Sequence, residues 1–143
     1  MNKPTTDELF KQLKKTSTVD ALEKYTQEIM ANCPVQTFHQ YLENLLSASG
    51  LTPAQLIRNA QIQRNYGYQI LNGTKKPGRN LVIALCLALS LPLEDVQRAL
   101  TLAGGSILYP KNPRDSILIF SINKKMTVND TNLLLHNKGE ETL

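Results

Sequence analysis

The sequence predicts an all-α fold. Leu and Ala are frequent while aromatic residues are scarce, with 3 Phe, 5 Tyr and no Trp, a balance that suits helices better than a β-sandwich. Apolar residues recur at spacings of three and four, the period of one helix face. The segments so marked are punctuated by Thr, Pro, Gly and Asn-Gly, residues that cap or stop helices. At 143 residues, 41% hydrophobic and 20% charged, the chain has room for one domain with added elements; a multidomain enzyme is excluded.

Taken in order, Leu9, Phe10 and Leu13 mark a short helix over residues 7–15, with Thr6 as its expected N-cap. Thr18 caps a second helix with the stripe Leu22, Tyr25, Ile29 and Met30, which ends near Asn32-Cys33-Pro34 because the residue before proline resists the α region. These two form an N-terminal helical arm, residues 1–34. From Thr37, the residues Phe38, Tyr41, Leu42, Leu45 and Leu46 predict a helix stopped by Gly50. Thr52 followed by Pro53 opens a short helix that runs to about Ala60, since proline at the first helical position loses no hydrogen bond. Another helix starts near Gln63 and runs to Leu71, with Asn72-Gly73 as its left-handed cap. A basic turn, Thr74-Lys75-Lys76-Pro77-Gly78, leads into an apolar helix from about Arg79 to Leu89, and a further helix starts at Pro92 and stops at Ala103-Gly104-Gly105.

The tail repeats this last pattern. Residues 79–104 align without a gap on 114–139 at a constant offset of 35, pairing Arg79 with Arg114, Asp95 with Asp130, Leu100 with Leu135 and Gly104 with Gly139. Each stretch reads as an αα-hairpin, the second built from Arg114–Asn123, a turn at Lys124-Lys125-Met126-Thr127, and Val128–Asn137. The expected organisation is an arm at 1–34, a central domain at 35–104 and a C-terminal hairpin at 105–143 packed on the core.

The net charge of +4 is unevenly spread. Residues 1–43 sum to −1 and 94–143 to 0, whereas residues 44–93 carry Arg58, Arg64, Lys75, Lys76 and Arg79 with no Asp or Glu, a local +5. Glu is a favoured helix former and is normally frequent on solvated helices. A cationic, acid-free stretch of this length points to a polyanionic partner.

Two short helices joined by a tight turn and embedded among others are the geometry that presents the second helix to the DNA major groove. Residues 51–77 resemble, without a gap, the helix-turn-helix of the phage-repressor-like (Xre/Cro-type) transcriptional regulators, and the match extends over roughly residues 38–100. Its most specific parts are Leu51-Thr52, Ile70, Asn72-Gly73, Lys75-Lys76-Pro77 and the restart Leu91-Pro92-Leu93-Glu94-Asp95-Val96. The resemblance implies a lambda-repressor-like helical bundle and a bacterial or phage transcriptional regulator. Three positions depart from the family. Pro53 stands where a phosphate-contacting Gln is usual. Gln61 stands at the turn where Gly is usual, so it either adopts a strained left-handed conformation or the turn differs. A large Ile57 faces Gly67 where the family pairs a small residue with a β-branched one, a volume swap that preserves packing.

With Ile62 and Ile70 turned inward, Gln63 lies at the start of the second helix and Arg64, Asn65, Tyr68 and Gln69 on its outer face. Arg is bidentate to guanine, Asn and Gln to adenine, and a Tyr ring contacts a thymine methyl or a phosphate. Lys75, Lys76 and Arg79, with Thr74 and Asn72, are expected to serve the DNA backbone; Arg58 either joins them or pairs with an acid elsewhere. The expected partners are double-stranded DNA and a second copy, because regulators of this geometry bind two half-sites; operator and effector are not readable.

The longest apolar run, Leu81 to Leu89, is far short of the roughly 20 residues a membrane span needs, and the first residues lack the apolar region of a secretory signal, so a cytoplasmic location is expected. Cys33 and Cys86 read as free thiols, His39 and His136 as surface residues. No metal set, phosphate loop or nucleophile motif is apparent, so neither an enzyme nor a cofactor is expected. The alternative function is a helical protein-interaction module that uses the helix-turn-helix only as scaffold.

Overall fold

The computed structural model describes residues 5–32 and 36–143, and all secondary structure in them is helical. Cys33 lies outside the described residues, as does the side chain of Met30. The chain divides into two units, Met1–Gln36 and Thr37–Leu143; the expected boundary at 104–105 falls inside the second.

The first unit holds α1 (Thr6–Lys15) and α2 (Val19–Asn32). The N-cap of α1 is Thr5, not the expected Thr6. Thr5 Oγ1 accepts the Glu8 N–H at 3.2 Å while the Glu8 carboxylate accepts the Thr5 N–H at 3.0 Å. This reciprocal box needs Glu three residues after the cap, which Thr5 has and Thr6 lacks. Thr18 caps α2 as expected, accepting the Ala21 N–H at 3.1 Å. No α1 residue is buried, and Phe10, Val19 and Leu22 are exposed.

In the second unit, α3 (Phe38–Ser49), α4 (Pro53–Asn59), α5 (Arg64–Leu71), α6 (Arg79–Ala88), α7 (Leu93–Leu102), α8 (Pro113–Asn123) and α9 (Val128–Asn137) surround one core. Its centre is α6, whose residues Val82 to Leu87 are all buried, as the unbroken apolar run of this segment requires. α6 packs on α4, α7 and α9, while α3 packs on α5 and α7.

One turn design recurs three times. Gln61, Ser90 and Lys125 each adopt φ between 54° and 58°, and each is followed by an apolar residue and then an N-cap. In each, the apolar residue's N–H reaches back five residues: Ile62 to the Ile57 carbonyl at 3.1 Å, Leu91 to Cys86 at 3.2 Å, and Met126 to Ser121 at 3.0 Å. This is the Schellman closure of a helix end. It holds non-glycine residues in the left-handed region, at a cost of about 1–2 kcal/mol each.

The repeat seen in the sequence is also present in the contacts. Gly104 and Gly139 are both left-handed, and Gly105 and Glu140 donate to the Leu100 and Leu135 carbonyls at 2.9 Å. Arg79 Nε donates to the Ser106 carbonyl at 2.9 Å and Arg114 Nε to the Glu141 carbonyl at 2.8 Å. Leu108 N–H donates to Gln97 Oε1 at 2.7 Å, and Leu143 N–H to Asn132 Oδ1 at 2.8 Å. Between the hairpins the contacts are reciprocal. Arg79 grips Asp115 and Arg114 donates to Asn80 Oδ1; α6 packs on α9 and α7 on α8; Lys125 Nζ donates to the carbonyl of its own counterpart, Ser90, at 2.9 Å. Such reciprocity is the signature of an isologous, two-fold-like interface, here inside one chain.

Candidate nucleic-acid interface

The site is built on α4 and α5. Thr52 and Gln55 close a capping box on α4, with Pro53 at its first position. The box aligns the helix without a charged residue. Gln61, at φ 58°, takes the left-handed conformation that its place in the turn demands, and Ile62 is buried beneath the turn. Gln63 is the N-cap of α5: its Oε1 accepts the Tyr66 N–H at 2.8 Å. That leaves the amide NH2 as the group Gln63 can offer a ligand.

α5 has a sharply divided surface. Gly67 and Ile70 are buried, while Gln63, Arg64, Asn65 and Tyr68 are exposed and Gln69 is half-buried at the margin. The burial of Gly67 has a specific cause. A Cβ placed there would stand 2.7 Å from Ile57 Cγ1 and 2.8 Å from Cγ2, closer than real Cβ contacts permit, so Ile57 fills the space a side chain at 67 would need. The expected volume swap is therefore a direct contact. On the exposed side, the Arg64 guanidinium carbon lies 5.9 Å from the centroid of the Tyr68 ring, one helical turn later, within cation–π range.

The basic turn is fastened to the end of α5. Lys75 N–H donates to the Gln69 carbonyl at 3.1 Å, and Asn72 Oδ1 accepts the Thr74 N–H at 2.9 Å. Gly73, at φ 83°, passes under the His39 ring: a Cβ there would come within 2.7 Å of Cε1. His39 is thus half-buried against this turn and not the surface residue expected, whereas His136 is exposed. Thr74, Lys75 and Lys76 are exposed, as is Arg58. Among the described residues none of Arg58, Arg64, Lys75 and Lys76 forms an ion pair.

Arg79 departs from its expected role. It grips Asp115 with Nη1 at 2.9 Å and Nη2 at 2.8 Å, and donates to the carbonyls of Ser106 and Ile107 at 2.9 and 3.1 Å. A guanidinium has five N–H donors, and four are engaged within the fold, so Arg79 leaves the backbone-contacting set. Burial by itself would raise the Asp115 carboxyl. The hydrogen bonds from Arg79 and from the Tyr109 N–H, with the charges of Arg79 and Arg114, outweigh that and hold it below the usual carboxylate range. The sequence carried no signal for this pair, because its members lie 36 residues apart. The Arg64–Tyr68 contact, in contrast, could have been read from the four-residue spacing.

Among the described residues there is no group of three or more His, Cys, Asp or Glu able to hold a metal, and no helix is long and apolar enough to cross a membrane. Cys86 is buried, and burial, with the nearby Asp95, pushes its thiol up to about 12, so it is an inert core residue. Comparison of the chain with family models, curated proteins and solved structures finds no match.

Proposed function

We propose that this chain binds double-stranded DNA sequence-specifically, laying α5 in the major groove as a transcriptional regulator of the phage-repressor-like type. The observation that carries the proposal is the divided surface of α5. Its inner side buries Gly67, against Ile57, and Ile70, while its outer side offers Arg64, Asn65 and Tyr68, flanked by Gln63 and Gln69. All of this lies inside a stretch with no acid, in which Arg58, Arg64, Lys75 and Lys76 form no ion pair among the described residues while Arg79 is neutralised by Asp115. These are side chains that distinguish base edges in the major groove. Exposed Lys75 and Lys76, on a turn tied to the same helix, supply sequence-independent attraction to phosphates. One such module contacts few base pairs, so two copies engage two half-sites about one helical turn apart.

Selection of genomic fragments with the purified full chain tests this directly. The expected result is an enriched operator with two-fold symmetry. Replacement of both Lys75 and Lys76 by Ala should lower affinity for the operator and for random duplex alike and reduce the salt slope by roughly one to two units. An absence of enrichment, together with salt-insensitive behaviour, would overturn the proposal in favour of the interaction-module reading.

A further inference from the structure

We infer that α5 reads a two-base step, a guanine immediately beside a thymine, with Tyr68 as the positioning residue for Arg64. The inference rests on the DNA-binding reading and deepens it by naming the bases and dividing the work between two side chains.

Arg64 is the first residue of α5 and Tyr68 lies one turn on, so both occupy one side of the helix. In helix-turn-helix docking it is the N-terminal part of the second helix that meets base edges. Both side chains are exposed, and among the described residues no carboxylate pairs with Arg64. The Tyr68 ring centroid lies 5.9 Å from its guanidinium carbon. An arginine carries large rotamer entropy, which a fixed partner reduces before any ligand arrives. Attraction to a ring face occupies none of the five guanidinium N–H donors, so the N–H fork remains available to a base.

The geometry then selects the bases. A guanidinium fork needs two adjacent acceptors. Guanine supplies N7 and O6, whereas adenine places a donor beside its N7. The guanidinium lies over the ring face, so a fork lying in the plane of one base leaves the ring off that plane, towards a neighbour stacked about 3.4 Å away along the strand. The apolar group available there in the major groove is the thymine methyl. Guanine and thymine are thus read by one paired unit and not by two independent contacts.

The test is selection from random duplexes with the full-length parent, Tyr68→Phe and Tyr68→Ala, followed by binding to the selected operator with the thymine replaced by deoxyuridine, which removes only the methyl. Tyr68 is 38% exposed, so folding should survive both changes, and a thermal melt by circular dichroism verifies it. The parent and Tyr68→Phe should both select the guanine–thymine step, with affinities within about two-fold, because the ring is kept. Tyr68→Ala should lose about five- to ten-fold and relax preference at the guanine as well as the thymine. Deoxyuridine should weaken the parent and Tyr68→Phe several-fold and leave Tyr68→Ala unchanged. The inference is overturned if Tyr68→Ala keeps the full guanine preference, if deoxyuridine binds the parent like thymine, or if the operator lacks the step. In each of these outcomes an operator is still selected and the DNA-binding reading survives; if the parent selects none, both fall.

Discussion

Hairpin α6–α7 carries Val82, Leu85 and Ala99 where α8–α9, at the same repeat positions, carries Ile117, Phe120 and Leu134, and the two sets meet different neighbours. The first three are at most 1% exposed, on helices that carry a further layer, α4 packing on α6 and α3 on α7. Their counterparts line, with Ser116 and Lys138, an open groove of about 310 Å³, and Phe120 is half exposed. The turns, the glycine exits and the arginine contacts to main-chain carbonyls are nevertheless alike. Local architecture and burial are therefore separable: the same hairpin face is buried where a second helical layer packs on its helices and open where, among the described residues, none does.

The largest effect should separate the two arginines. Arg79→Ala leaves a buried carboxylate without its partner, and breaking such a pair costs about 3–5 kcal/mol. Arg114→Ala removes bonds to carbonyls and one amide but strands no buried acid, and should cost about 1–2 kcal/mol. Urea titrations of both variants measure the difference; equal losses would break the comparison. The same pair predicts an acid limb. Because the Asp115 carboxyl sits below its ordinary value, its contribution is complete above about pH 4 and disappears as the pH falls through the lower, folded value. Asp115→Asn should flatten that part of the stability profile.

Next come the repeat-equivalent apolar residues. Leu85→Ala should cost about 2–5 kcal/mol, as for other fully buried leucines. Phe120→Ala, at a half-exposed position, should cost less than about 1 kcal/mol. A large loss at Phe120 would mean that its face is covered in solution. The covering layer itself is tested through Ile57 and Gly67. Gly67→Ala should cost about 1–2 kcal/mol despite improving helix propensity by nearly 1 kcal/mol, because its Cβ collides with Ile57. Ile57→Ala should cost about 2–4 kcal/mol, and the double variant should recover at least about 1 kcal/mol of the combined loss; additive losses would refute the contact.

The smallest effect concerns the turns that the hairpins share. Ser90→Gly should relieve the left-handed strain and gain about 0.5 kcal/mol after the entropy of glycine is counted. Lys125→Gly should gain less, because it also removes the Nζ bond to the Ser90 carbonyl. Thermal midpoints of the two variants rank them; the reverse order would show that this ammonium contributes nothing.

Much of the helix framework was legible in the sequence for a local reason. Thr18, Thr37, Thr52 and Thr127 accept N–H groups three residues ahead, and Gly50 and Gly104 supply left-handed stops. Each effect spans a few residues, so residue type and spacing suffice. The outward set on α5 was legible too, since a buried Ile62 and Ile70 leave the opposite side exposed by helical geometry.

What the tertiary structure decided are the matters that join distant parts of the chain. Arg79 follows the basic turn directly and in sequence belongs with Lys75 and Lys76; only the arrival of Asp115 from α8 turns it inward. His39 reads as a surface residue until Gly73 is brought beneath its ring. The repeat could be aligned by residue type, but the reciprocal packing of α6 on α9 and α7 on α8, and the absence of a layer over Phe120 among the described residues, could not. Capping and turn preferences are set by the chain's own neighbours. Burial, ion pairing and the surface left for a partner are set by which segments meet in space, and for those the intervening length of chain carries no instruction that residue spacing can express.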